Sequence, residues 1–299
     1  MKIGIDLRVL DGPAGQQRYL RTLGVWLAEQ GHESHLLVTR HAPSAEALAR
    51  VAGPLVHDLS ARSAKELGAA VRGLELDVLL LNPERSDPYR GVRANLLRPG
   101  YGTDQYVQKL RSFRHPVERG IRTMLRTLPP VAGKRARERE LYRVGEGESA
   151  PDVIAVSNYM RDEILDGLSL DPDRVHVIPN GVDVEHFSPE RRLALREASR
   201  ERFGVPEHAL CILMVAHNYR LKGVRAGMAH VARLRRAGIE AHLLVAGRGT
   251  GTLQRWRARR WAAGLGVSDA VHLPGAVQPV LEADAAADGV LHPSWHDAF

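Results

Sequence analysis

Lys222 sits in "HNYRLKGV", residues 217 to 224, directly behind the apolar run "LCILMVA" at 210 to 216. A lysine at the carboxyl end of a strand, followed by a glycine and a helix, can reach a pyrophosphate and offset charge building on a leaving group. Arg220 offers a second cation two residues earlier. Long cations are more often solvated surface groups, a reading that suits Arg220 better than Lys222. In "DGPAGQQRY", Gly12 and Gly15 let backbone come close to a ligand, and a helix starting near Gln16 would present free N–H groups to an anion. The same loop is equally an ordinary strand-to-helix turn, and its residues alone leave both readings open. In "RVHVIPNGVD" the strand must stop at Pro179, which supplies no ladder donor, and Asn180-Gly181 tolerates the positive φ of a sharp turn. "LLVAGRGTG" ends another apolar run in Gly247, Arg248, Gly249 and Gly251, of which the last two can simply form the turn. The single cysteine, Cys211, lies within "LCILMV" and reads as a small buried hydrophobe, which excludes disulfides and thiolate-metal clusters. No spacing of His, Cys and carboxylates suggests a metal site.

These candidates share a location, since each closes a short β-rich run. The runs are "KIGID" (2–6), "SHLLVT" (34–39), "LDVLLL" (76–81), "DVIAVS" (152–157), "RVHVIP" (174–179), "LCILMVA" (210–216), "AHLLVAG" (241–247) and "DGVLHPS" (288–294). Between them lie helix-length amphipathic segments such as residues 16–30. Near-continuous apolar strands alternating with helices are the pattern of parallel sheets buried on both faces, hence α/β with doubly wound sheets. Ligands bind beyond the carboxyl ends of such strands. With 299 residues and 44% hydrophobic content the chain can bury two cores. The alternation pauses at the polar, charged "SPERRLALREASRERFGVPEH", so the expected division is 1–187, a linker at 188–208, and 209–299.

Taken together, "VSNYMRDEI", "VIPNGVDVEHFSP", "ILMVAHNYRLKGV", "LLVAGRG" and "LHPSWHDAF" resemble, in order and spacing, the retaining glycosyltransferases of family 4. The opening "IDLRVLDGPAGQQRYLRTLGVWLAEQGHESHLL" is similar to that family's first strand, glycine loop and first helix. The resemblance covers residues 1–40 and about 150–299, and within the family it looks most like the lipopolysaccharide-core glucosyltransferases. It implies a GT-B fold of two facing Rossmann-like domains, a nucleoside diphosphate sugar (UDP- or GDP-linked) as donor, a saccharide acceptor and no metal or other cofactor. By the same resemblance Gly15 and Gln16 face the donor diphosphate and the transferring sugar, and Asn180 lies on the rim of the cleft. Lys222, with Arg220, stabilises the leaving diphosphate. Gly247 and Arg248 lie near base and ribose, and Gly275, Ala276 and Val277 offer main-chain contacts to the base. Asp297 stands where many relatives have Glu. The family continues past this point with a helix carrying a second, ribose-holding Glu, so the resemblance implies that the second domain is incomplete. A catalytically inactive nucleotide-sugar-binding fragment and a GT-B nucleotide-sugar epimerase are the alternatives.

Residues 109–143 carry eleven Lys or Arg against three Glu, with Leu110, Phe113, Val117, Ile121, Met124, Leu125 and Leu128 forming an apolar stripe. Such a helix can lie on an anionic membrane surface, and a core-facing helix with a solvated basic back gives the same pattern. The formal net charge of +7 suits phosphate-rich partners or such a surface. No nucleic-acid-binding motif accompanies it. Asp104 in "RPGYGTDQYVQ" follows the strand-like "ANLLR" and could orient an acceptor hydroxyl, although a helix N-cap at Thr103 or Asp104 explains the stretch as well. The start lacks the form of a signal peptide and no apolar run approaches the roughly 20 residues of a membrane span. A cytoplasmic protein, peripheral on the membrane at most, is the expectation.

Overall fold

The computed structural model describes residues 1–10, 15–83, 89, 92–100, 140–142, 150–168, 170–247, 249 and 251–297. The chain divides into two compact units, Met1–Asn180 and Gly181–Asp297. In the first, β1 (Lys2–Leu7), β2 (Glu33–Val38), β3 (Leu55–Asp58), β4 (Val78–Leu81), β5 (Leu96–Leu97), β6 (Asp152–Ala155) and β7 (Val175–Val177) form one sheet. Its order is β3-β2-β1-β4-β5-β6-β7, with every pair parallel. The apolar runs explain this, because alternate residues of one strand enter different cores. Leu36 and Val38 pack on one face with Ile3, Ile5 and Leu20, while Leu37 packs on the other with Leu79, Leu81 and Leu97. Helix α1 (Gly15–Glu29) covers the first face, and a Cβ at Gly24 would lie 2.6 Å from Leu36 Cδ2, so glycine lets helix and strand come close. The other helices of this unit are α2 (Ala45–Ala49), α3 (Ala64–Arg72), which starts with a Ser63/Glu66 capping box, and α4 (Asn158–Leu168).

The second unit repeats the start of this pattern. Strands β8 (Leu210–Val215), β9 (Ala241–Ala246), β10 (Val271–Gly275) and β11 (Gly289–Val290) pair in parallel in the order β10-β9-β8-β11. One face packs under α6 (Val224–Arg236) and α7 (Thr252–Gly264), through Met228, Val231, Ala258 and Ala262. The other carries α5 (Pro189–Phe203) and α8 (Val280–Ala286), through Phe203, Ala283 and Ala286. Among the described residues no helix is long and apolar enough to cross a membrane.

The stretch expected as a linker is α5, and it belongs to the second unit. Ser188 caps it, Pro189 opens it and Gly204, at φ 67°, closes it. Its polarity is structural. Arg192, Arg196 and Arg200, spaced four apart on one face, donate to the last carbonyls of α8: Arg192 to Asp284 and Ala287, Arg196 to Ala285 and Ala287, Arg200 to Ala286. The buried Arg200 also pairs with Asp288 at 2.7 Å, and the same Asp288 oxygen accepts the Cys211 N–H at 2.7 Å. Burial pushes the Cys211 thiol up to about 11, which makes it inert packing. Two edge strands, β3 and β10, fall outside the expected runs: they are short and each lies beside or contains a proline, Pro54 and Pro274.

Candidate functional site

At the carboxyl end of the second sheet the chain leaves β8 in a tight turn. The Leu221 N–H donates to Asn218 Oδ1 at 3.1 Å and the Lys222 N–H to the Asn218 carbonyl at 2.9 Å. Gly223 ends the turn at φ 69° and caps α6 without a side chain, the Val224 and Ala226 N–H groups donating instead to the Tyr219 and Gly223 carbonyls. A Cβ on Gly223 would lie 2.3 Å from the Pro293 carbonyl oxygen, and the Trp295 N–H donates to the Leu221 carbonyl at 3.0 Å. Glycine therefore lets the loop after β11 seat on the turn. That seating brings Lys222 Nζ against the Asp297 carboxylate, with the ammonium side chain 15% exposed. His292 Nε2 lies 2.5 Å from the same Asp297 oxygen and 3.0 Å from Ser294 Oγ. Burial pushes the Asp297 carboxyl up, but hydrogen bonds from Lys222 and His292 outweigh it and hold the group below the usual carboxylate range. Burial, then the charge of Lys222, holds His217 below the usual imidazole range. Arg220 lies on the exposed side of the turn.

Gly247 joins this turn to the end of β9. At φ 144° its missing Cβ would sit 2.0 Å from the Ala216 carbonyl oxygen, so no other residue fits. Its N–H donates to the Gly275 carbonyl at 2.6 Å and its carbonyl accepts the buried Tyr219 hydroxyl at 3.0 Å. Gly247 is thus tied to both the lysine turn and the end of β10. Next to it opens a cavity of about 450 Å³, walled by Gly249 and Gly251, by Thr252 and Arg255 of α7, and by Pro274, Gly275 and Ala276. Val277 turns its side chain into the core against Leu244 and Ala246, leaving only its backbone for any ligand. Arg248 lies outside the described residues. Tyr219 and His292 escape a reading by residue type, although both stand inside the stretches "HNYRLKGV" and "LHPSWHDAF".

The carboxyl end of the first sheet holds a different set of groups. Gly15 is exposed with nothing within 4 Å of a notional Cβ, while Gln16 lays its amide on Gly100, whose Cβ would sit 2.8 Å from Gln16 Oε1. Arg98, directly after β5 and 3% exposed, stacks its guanidinium 4.3 Å over the Tyr19 ring of α1 and donates to Asn180 Oδ1. Gln16 and Asn180, far apart in sequence, are thus both anchored on residues 98–100. Deeper in, the buried Tyr89 hydroxyl donates to Asp6 Oδ1 at 2.8 Å, and burial raises the phenol well above its ordinary value. Neither Arg98 nor Tyr89 is flagged by type, but "LLRPG" does put a cation at the end of a strand. Asp104 lies outside the described residues, as does 109–139 of the basic segment; Tyr142, near its end, packs into the core. Among the described residues no three His, Cys, Asp or Glu side chains gather in a way that could hold a metal ion.

Comparison with known proteins bears on the fold and the family. The chain is similar to WaaG, a glycosyltransferase involved in lipopolysaccharide biosynthesis, with a TM-score of 0.72 at 18% identity over 99% of this chain and 76% of that one. It is also similar to Anabaena HepE solved in complex with UDP and glucose, with a TM-score of 0.65 at 17% identity over 98% of this chain and 74% of that one. These likenesses show the fold: GT-B, built of Rossmann-like α/β units. The D-inositol 3-phosphate glycosyltransferase of Geodermatophilus obscurus is 32% identical over 145 residues, 46% of this chain and 31% of that protein. The chain therefore spans about a third of the length of the curated relative it matches. The family model described as Glycosyltransferase Family 4 matches residues 13–186, more than half of the sequence. The chain belongs to Glycosyltransferase Family 4.

Proposed function

We propose that this protein is a retaining glycosyltransferase, taking a sugar from a UDP- or GDP-linked donor and joining it to a hydroxyl of a saccharide or lipid-linked glycan. The observation that carries the reading is the joint at the second sheet's carboxyl end. There a largely covered ammonium, Lys222, stands just before α6, in a turn that Tyr219 and Gly247 tie to Gly275 in the wall of a glycine-lined cavity of about 450 Å³. In this reading the donor's diphosphate displaces Asp297 from Lys222, and α6 adds its dipole to the developing charge. The base lies along the backbone of Gly247 and Gly275 to Val277, with Arg248 toward the ribose. Gly15 and Gln16 face the transferring sugar, Asn180 lines the same edge, and Asp104 with the first unit serves the acceptor; Arg220 plays at most a supporting part. The departing diphosphate takes the acceptor proton, so the protein supplies position and charge rather than a nucleophile. The HepE complex with UDP and glucose supports a nucleotide sugar as ligand, and the inositol-phosphate name of the relatives supports a polyol or saccharide hydroxyl as acceptor. We assign the reaction to the cytoplasm, with no cofactor beyond the donor.

The test is product analysis after incubating the protein with UDP- and GDP-sugars and a panel of saccharide and inositol phosphate acceptors. A glycosidic product keeping the donor's anomeric configuration is expected. An inverted linkage, an isomerised donor, or donor bound without turnover would each overturn it.

A further inference from the structure

Helix α7 reads "TLQRWRARRWAAG" and holds Arg255, Arg257, Arg259 and Arg260 with no Asp or Glu. Its inner side is settled: Ala258 and Ala262 are buried in the core and Trp261 packs against them. At about 100° per residue the opposite side presents Leu253, Trp256 and Arg260, with Arg257 and Arg259 on its two shoulders. Leu253 is 57% exposed and Trp256 is 53% exposed, one turn apart, and the Arg260 guanidinium lies 5.0 Å over the Trp256 ring. The neighbouring α6 adds Arg225, Arg233, Arg235 and Arg236, again with no acid inside the helix. Of these, Arg235 is paired with Asp269 and Arg225 stands over the Trp261 ring.

Single exposed apolar side chains such as Trp26 are ordinary; Leu253 and Trp256 differ in lying one turn apart on a helix face whose charged groups are all arginine. An aliphatic and an indole side chain ringed by guanidinium groups match a headgroup layer that is anionic outside and apolar just beneath. Nucleic acid fits less well, because Arg260 already covers one face of the indole that would stack on a base, and Leu253 offers a base or phosphate nothing. We propose that the outward face of α7, centred on Leu253 and Trp256, docks on an anionic lipid surface. This does not depend on the proposed sugar transfer, nor on residues 109–143. Arg255, which lines the cavity of the candidate site, is left out of the face.

The test compares the wild-type chain with Leu253→Ser/Trp256→Ser and, separately, Arg257→Gln/Arg259→Gln, in co-sedimentation with vesicles of phosphatidylcholine alone or mixed with phosphatidylglycerol. Trp26→Ser, at a tryptophan of similar exposure (50%) on α1, is the control. All of these side chains are exposed, so melting curves should match and confirm folding. The expected result is salt-sensitive binding to the phosphatidylglycerol vesicles, weakened about tenfold or more in both double variants and unchanged in the control. Acyl chains brominated near the headgroup should quench wild-type emission and quench the double variant less. Absence of wild-type binding, equal binding by the double variants, an equal loss in Trp26→Ser, or RNA binding or self-association lost in those variants in place of vesicle binding would each overturn the proposal.

Discussion

The two units share a strand down to its side chains and differ where that strand ends. "GHESHLLV" at 31–38 and "GIEAHLLV" at 238–245 each begin with a glycine at φ 82° and 83° and enter the second strand of their sheet. In both, the buried histidine stacks on one from the next strand. His35 Nδ1 lies 2.9 Å from His57 Nε2, and His242 Nδ1 lies 2.9 Å from His272 Nε2. The registers agree as well, since His57 pairs with Leu37 and His272 with Leu244, each two residues beyond the first histidine. A glutamate two residues before that histidine, Glu33 or Glu240, faces it at 3.0 Å or 3.9 Å. At the carboxyl ends the likeness stops. The first unit ends in a stacked arginine and amides, the second in a lysine-carboxylate-histidine cluster and a glycine-walled cavity. The scaffold is thus repeated while the chemistry is set by loops past the strand ends.

The difference between the ends predicts the largest effect. Lys222→Ala should lower turnover by about 10²–10³-fold, as removal of one charge-stabilising donor does, whereas Arg220→Ala should cost only a few-fold; steady-state kinetics separates them. Comparable losses from the two would dissolve the distinction between the covered and the exposed cation. Next is stability confined to one unit. Arg200→Leu removes one of the two arginines on Asp288 and the side-chain donor of several carbonyls, and should destabilise the second unit by about 3 kcal/mol, while amide exchange in β1 and β2 stays as in the wild type.

A smaller contrast concerns two loop glycines. Gly223→Ala meets the Pro293 carbonyl at φ 69° and should cost roughly 1–3 kcal/mol in chemical denaturation, whereas Gly15→Ala, with open space around it, should change stability by about 0.5 kcal/mol or less. The weakest effect belongs to what the units share. Burial, helped by the neighbouring ring, depresses His57 and His272, and burial with Arg235 depresses His242. The unfolded chain therefore takes up protons first, near the ordinary 6.5, so this stability is present above that value and declines as pH falls through it toward the folded values. Melting temperature should drop modestly between pH 7.5 and 5.5, and His57→Gln with His272→Gln should flatten that slope. An unchanged slope would mean that the stacked pairs do not titrate on unfolding.

Much of the scaffold is legible in the sequence. β1, α1, β8 and β9 follow from continuous apolar runs broken by glycine, and Lys222 from a cation placed after a strand and before a glycine. Helix α5 is not, because its face packs through arginines on helix-end carbonyls, which composition registers as a solvated linker, even though Ser188-Pro189 and Gly204 mark its ends. The bonds from Lys222 to Asp297 and from Arg98 to Asn180 bridge 75 and 82 residues, and the first depends on a loop seated against Gly223, none of which a local pattern reveals. The Glu-x-His-Leu-Leu-Val repeat is visible in the sequence, but its meaning needs the partner strand that supplies the second histidine.

The most direct test is calorimetric titration of UDP and of GDP into the 299-residue chain and into Lys222→Ala. One nucleotide should bind the wild type and lose at least tenfold in affinity in the variant, as loss of a charge-assisted contact to a diphosphate requires. Binding of equal strength in both proteins, or to neither, would contradict a diphosphate site at the carboxyl end of the second sheet.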